Sequence, residues 1–164
     1  MTVVVTGATG HAGANLGRAL LAQGRPTRAL AHVDKQAVKG LDVEVIEGDI
    51  CDLESLVDSF DGAEVVYHLA AHISLLKDEW PLLESANAIG TRNVVEACLP
   101  CGVCCLIYFS SIHNITQAPV NIPVDESHPL LESQRCPPYD HSKAAAEKEV
   151  SKGIEKRLET MRSL

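Results

Sequence analysis

Positive charge is scarce in this chain: 14 lysines and arginines stand against 22 aspartates and glutamates, for a net charge of −8. That balance repels nucleic acid and anionic membrane surfaces, so neither is an expected partner. Long apolar runs are missing too. None approaches the roughly 18 residues of a membrane span, and no basic segment followed by an apolar one opens the sequence. Internal repeats and low-complexity tracts are also absent. What remains is the pattern of a soluble, cytoplasmic, single-domain protein over residues 1–164, and 46% hydrophobic residues suffice for a core.

Cysteine is plentiful by comparison, with Cys51, Cys98, Cys101, Cys104, Cys105 and Cys136. Four of these crowd into residues 98–105, a spacing that invites a metal. The cluster, however, straddles a helix end, a Pro100/Gly102 turn and the start of an apolar strand. Its thiols should therefore point in different directions, and no metal site is expected. Reduced thiols fit a cytosolic protein.

Periodicity supplies the elements. Thr2–Thr6 reads as a buried strand and Ala12–Gln23 as a helix closed by Gly24. Pro26–His32 is a second strand, Asp34–Lys39 a short helix or turn, and Val43–Ile46 a third strand. Asp52 can cap a helix through Phe60. Glu64–Leu69 is a fourth strand, Leu82–Leu99 a long helix and Cys105–Ser110 a fifth strand. Residues 112–138 form a long loop, and a last helix runs from Tyr139 to Lys156 or beyond. Alternating strands and helices predict an α/β fold: a doubly wound parallel sheet in three layers, joined by right-handed crossovers. A loop as long as 112–138 is rarely idle in a compact domain.

Gly7, Gly10 and Gly13 follow the first strand directly, spaced G-x-x-G-x-x-G. One glycine adopts a backbone conformation closed to other residues, one admits phosphate to the main chain, and one lets helix pack on strand. The helix start then offers free N–H groups to an anion, the grip used on a dinucleotide pyrophosphate. At the end of the second strand, where a carboxylate usually holds the adenosine ribose, stands Ala31. Arg28 and His32 could instead take a 2′-phosphate, which favours NADP over NAD, although Asp34 could swing in.

Tyr139 and Lys143 lie four residues apart on the last helix, hence side by side. A nearby ammonium favours the phenolate, and a phenol tuned toward neutrality can exchange a proton with a ketone or alcohol. Lys143 can also reach the nicotinamide ribose. Ser110 and Ser111 close the fifth strand, at the sheet edge where ligands bind. Ser111 is the candidate for the substrate oxygen, and Ser110 for lining the cofactor.

Together these pieces resemble the short-chain dehydrogenase/reductase superfamily, in its extended epimerase/dehydratase branch. The matching segments are Thr6–Gly13, Gly48-Asp49-Ile50, Tyr67-His68-Leu69-Ala70-Ala71, Asn87 to Thr91, Phe109-Ser110-Ser111 and Tyr139-x-x-x-Lys143. The tone of Arg28–His32 and Ser110–His113 is most similar to dihydroflavonol-reductase-type members. Sugar-nucleotide epimerases and 3β-hydroxysteroid dehydrogenases are similar in pattern.

The resemblance implies a Rossmann-type fold and a set of site residues. Gly7, Gly10, His11, Ala12 and Gly13 would form the pyrophosphate turn. Asp49 and Ile50 would contact adenine, and Leu69, Ala70 and Ala71 would line the cleft. Asn87 would steady the active-site end of the long helix, and Ser111, Tyr139 and Lys143 would be catalytic. It also implies a small-molecule substrate and pairing with a second copy through helices 82–99 and 139–156. Its members continue into an apolar sixth strand and a substrate lobe. Here residues 154–164 read as an amphipathic, charged tail, so the expectation is a truncated chain with a cofactor site but little substrate site. The activity implied is NAD(P)-dependent hydride transfer at a hydroxyl or carbonyl carbon, as an oxidoreductase or epimerase. The rival is a non-catalytic module that binds dinucleotide weakly.

Other candidates carry less. His68 and His72 do not share a helix face, His141 should face outward, and Asp125-Glu126-Ser127-His128 reads as solvated surface.

Overall fold

A parallel sheet forms where β-branched runs can be buried on both faces. The computed structural model describes residues 2–163 apart from 118, 120, 126, 133–135 and 157. Its strands are β1 (Thr2–Thr6), β2 (Thr27–Ala31), β3 (Glu44–Glu47), β4 (Ala63–His68), β5 (Cys105–Phe109) and β6 (Thr160–Ser163). They form one sheet in the order β3-β2-β1-β4-β5-β6, every pair parallel. Chain direction along the sheet reverses between β1 and β4, and a crevice opens there beyond the strand ends.

The helices are α1 (His11–Ala22), α2 (Leu53–Phe60), α3 (Trp80–Leu83), α4 (Gly90–Cys98) and α5 (Pro138–Glu155). A π-helical segment, Glu84–Ile89, joins α3 to α4, so the long helix expected from the sequence contains a widened turn. Asp52 caps α2, its Oδ1 accepting from the amides of Glu54 at 3.1 Å and Ser55 at 3.4 Å.

Strand alternation splits the core between the two faces. Val4, Leu30, Val66 and Leu106 turn to one face, where Leu56, Phe60, Val94 and Val150 of α2, α4 and α5 cover them. Val3, Val5 and Ala29 turn to the other, against Leu20 of α1 and Val38. On that second face Val65 and Tyr67 of β4 and Ile107 of β5 remain only partly buried.

The end of the chain corrects the sequence expectation. Residues 160–163 are a strand and not a charged tail, with Leu106, Ile107, Tyr108 and Phe109 aligned on Thr160, Met161, Arg162 and Ser163. Leu158, 4% exposed, anchors the approach in the core.

Candidate functional site

The β1–α1 turn is built by close approach. Gly7 has φ +68°, and a Cβ there would lie 2.6 Å from the Ala70 amide nitrogen. A Cβ on Gly13 would strike the Gly7 carbonyl oxygen and stand 2.8 Å from Ala8 Cα. Glycine at both positions lets the turn, the start of α1 and the end of β4 share one small space. Gly10, at the N-cap, has no side chain to offer, and the first turn of α1 carries no acidic residue. The first α1 amide with a helical partner is that of Ala14, bonded to Gly10 O at 2.9 Å. The N–H groups of His11, Ala12 and Gly13 thus face outward from a positive helix end, which suits a diphosphate.

Beside this turn lies a cleft of about 380 Å³, lined among others by Gly7, Gly10, His32, Asp49, Ile50 and Leu69–Ala71. These belong to the ends of β1, β2, β3 and β4, the carboxyl side of the sheet. The structure therefore gathers eight of the residues singled out from sequence around one opening.

Arg28 does not belong there. It sits near the start of β2, and its guanidinium pairs with Glu44 at 2.8 Å and donates to the carbonyls of Ser59 and Asp61. The strand places it at the opposite end of the sheet, out of reach of a 2′-phosphate in the cleft. His32 is at the right end, with Nε2 3.8 Å from Asp49 Oδ2. Asp49 Oδ1 also accepts from the Cys51 amide at 2.9 Å. Asp34 turns away to bond the Gln36 amide.

At the end of β5, Ser111 caps a 3₁₀ turn (Ile112–Asn114) by accepting from the His113 amide at 3.2 Å. Its hydroxyl lies near enough to the Tyr139 phenol to favour the phenolate. Lys143 is close at hand but differently engaged than expected. Its Nζ donates to the Phe109 carbonyl at 2.7 Å and rests 4.4 Å from the centre of the Tyr108 ring. Burial holds its pKa down, at about 8, while the Glu147 carboxylate pulls it up. The Tyr139 phenol is not lowered toward neutrality: burial raises its pKa, the Asp140 charge adds to that, and the nearby Ser111 hydroxyl opposes it. The i, i+4 spacing brings the two residues together, but the long lysine chain reaches past the phenol to a carbonyl and a ring.

Ser110 also departs from expectation. Its hydroxyl donates to the buried Glu147 carboxylate and accepts from Asn114 Nδ2 at 2.8 Å, so it faces inward and does not line the cleft. Asn87, 1% exposed, ties three segments together. It accepts from the His72 amide at 2.8 Å and donates to the His72 carbonyl at 2.9 Å and to Ser142 Oγ at 2.8 Å. Ser142 in turn donates to the Tyr139 carbonyl at 2.7 Å. The wall of the cleft is thereby linked to the first turn of α5.

Sequence reasoning passed over several of these partners. His68 is fully buried between Thr6 Oγ1 at 2.7 Å and Thr91 Oγ1 at 3.0 Å. Burial and the Lys143 charge push its pKa down to about 3, so it is neutral. No sequence signal marks a histidine inside a strand. Glu147 did carry one, since it follows Tyr139 and Lys143 at the same helical spacing.

His72 meets Glu79 at 3.2 Å. His141 stacks on Trp80 at 4.7 Å instead of facing outward. In the acidic run, Asp125 pairs with His128 at 3.2 Å, and Glu126 lies outside the described residues. Cys98 is buried and Cys104 exposed, so the crowded thiols do face different environments.

A model of the 3-beta hydroxysteroid dehydrogenase/isomerase family matches residues 4–164. The chain belongs to that family. Among its curated relatives is a sterol demethylase protein B of Methylococcus capsulatus, 36% identical over 92% of this chain and 46% of that protein. A putative dihydroflavonol 4-reductase of Synechocystis is 33% identical over 89% of this chain and 43% of that one. The chain thus spans about half the length of these relatives. Among solved structures, Thermus thermophilus UDP-glucose 4-epimerase in complex with NAD is 30% identical. It superposes with a TM-score of 0.83 over 99% of this chain and 54% of its own. A short-chain dehydrogenase/reductase protein of Agrobacterium tumefaciens with bound NAD gives 0.84 at 28% identity, over 99% and 48%. The family resemblance read from sequence is correct, and the fold is the Rossmann-type sheet those enzymes use.

Proposed function

We propose that this chain binds NAD in the cleft between the β1 and β4 ends and serves hydride transfer at a hydroxyl or carbonyl carbon of a small molecule. The observation that carries the proposal is the α1 start, uncapped and without acid in its first turn, opening beside the switch in strand order. The amides of His11, Ala12 and Gly13 would hold the diphosphate, and Asp49 and Ile50 the adenosine end. NAD is preferred to NADP because Arg28 is committed elsewhere, and Asp49 beside His32 would repel a 2′-phosphate. When bound, the nicotinamide supplies or accepts the hydride.

The chain's own groups account for the proton. With its pKa raised, Tyr139 holds its phenolic proton at neutral pH and can donate it to a carbonyl oxygen. Ser111, beside that phenol at the end of β5, would orient the same oxygen. Lys143 would hold positive charge under the site when protonated. The starting chemistry thus favours reduction of a ketone, in keeping with relatives named as reductases.

The experiment is a fluorescence titration with NADH and NADPH, followed by turnover of a panel of ketones and secondary alcohols. Saturable NADH binding, tighter than NADPH, is expected. Tyr139→Phe should leave binding intact and lower turnover by about 10²–10⁴-fold. Binding with no turnover on any substrate favours the non-catalytic module, and no saturable binding rejects both.

A further inference from the structure

A carboxylate buried in a protein is costly unless hydrogen bonds and an opposite charge compensate it. Glu147 is such a group: it is 3% exposed, on the face of α5 that meets the sheet. Its Oε2 accepts from Ser110 Oγ and from Asn114 Nδ2, the latter at 3.4 Å. Asn114 closes the triangle by donating to Ser110. Ser110 sits between Phe109, whose carbonyl accepts from Lys143, and Ser111, whose hydroxyl lies near the Tyr139 phenol. Lys143 itself lies one helical turn before Glu147, on the same side of the helix. Two charged residues of α5 therefore grip two consecutive residues at the end of β5, Lys143 at the carbonyl of Phe109 and Glu147 at the hydroxyl of Ser110.

We infer that Glu147 is a positioning residue of this site: through Ser110 and Asn114 it fixes the strand end that carries Ser111, and across one helical turn it supplies the counter-charge of Lys143. The inference deepens the proposed function and rests on its reading of Ser111, Tyr139 and Lys143. Among the described residues, the groups around the Lys143 ammonium are Glu147 and Tyr139 on its own helix, the Phe109 carbonyl and Tyr108 ring of β5, and neutral His68 of β4. Glu147 is the one carboxylate in that set, so it is what keeps the ammonium charged against burial. Without that charge nothing in that set would oppose the burial that holds the lysine's pKa down.

Glu147→Gln keeps the size and an accepting oxygen for Ser110 and Asn114 but removes the charge. Glu147→Leu removes both. In the 164-residue chain, Lys143 is followed by its ε-carbon NMR signal, assigned with Lys143→Arg, and the His113 amide by hydrogen exchange. The Gln variant is expected to shift the Lys143 midpoint down by about one pH unit with His113 exchange unchanged. The Leu variant is expected to shift it equally and to speed His113 exchange at least about tenfold. A Gln variant whose Lys143 midpoint stays within about 0.3 of wild type overturns the electrostatic role. Unchanged exchange in a folded Leu variant overturns the positioning role. Should the Leu variant not fold, Glu147→Ala in the same exchange measurement decides that arm, and loss of its folded state as well counts against positioning as the residue's distinct role. NADH titration of the wild-type chain is separate: its failure removes the cofactor reading and leaves the Lys143 result standing.

Discussion

Gly7 and Gly13 hold adjacent parts of one crowded turn, and they should fail differently. Gly7→Ala forces a side chain into a left-handed backbone conformation and into the Ala70 backbone. It is expected to cost about 2 kcal/mol or more, and to abolish NADH binding. Gly13→Ala overpacks against Gly7 without backbone strain, so about 1–3 kcal/mol is expected. Urea midpoints with parallel NADH titrations check both. The glycines were legible because their spacing after an apolar strand encodes the turn itself. Arg28 was not, because residue type alone does not say which end of a strand a side chain occupies. Lys143 was half legible: helical spacing brought it to Tyr139, but the Phe109 carbonyl and Tyr108 ring that hold its ammonium come from a distant strand.

Among the elements, the π-helical segment Glu84–Ile89 carries Asn87, whose side chain satisfies both backbone groups of His72 and reaches Ser142. Asn87→Leu strands those polar groups in a buried place. A loss of about 2–4 kcal/mol is expected, with faster exchange of the His72 amide, measured by denaturation and hydrogen exchange. Nothing in residues 84–89 announces the widened turn or the partner of Asn87 15 residues away in sequence. The strands β1, β2, β4 and β5 were readable because burial on both faces demands continuous apolar runs. Strand β6 was not. Its residues are Thr160, Met161, Arg162 and Ser163, and only the exposed edge of β5 makes a strand of them.

For the molecule as a unit, His68 links folding to acid. Its pKa is about 3 when folded and ordinarily 6.5, so below pH 6.5 the unfolded chain takes a proton that the folded one refuses. Stability from this group is complete above 6.5 and falls by about 1.4 kcal/mol per pH unit beneath it. Urea unfolding at pH 7 and 4.5 should differ by about 2–3 kcal/mol more in the wild type than in His68→Asn. Equal differences would assign the acid sensitivity to other groups. The order of the sheet has one more consequence. The strands before Gly62 form one wing of the sheet and those after it the other, and in the sheet the two wings meet where β1 pairs with β4 and Gly7 crowds Ala70. Neither wing owns the cleft. A nucleotide seated there would act as a rivet through the joint, so its grip and the cohesion of the two wings would rise and fall together.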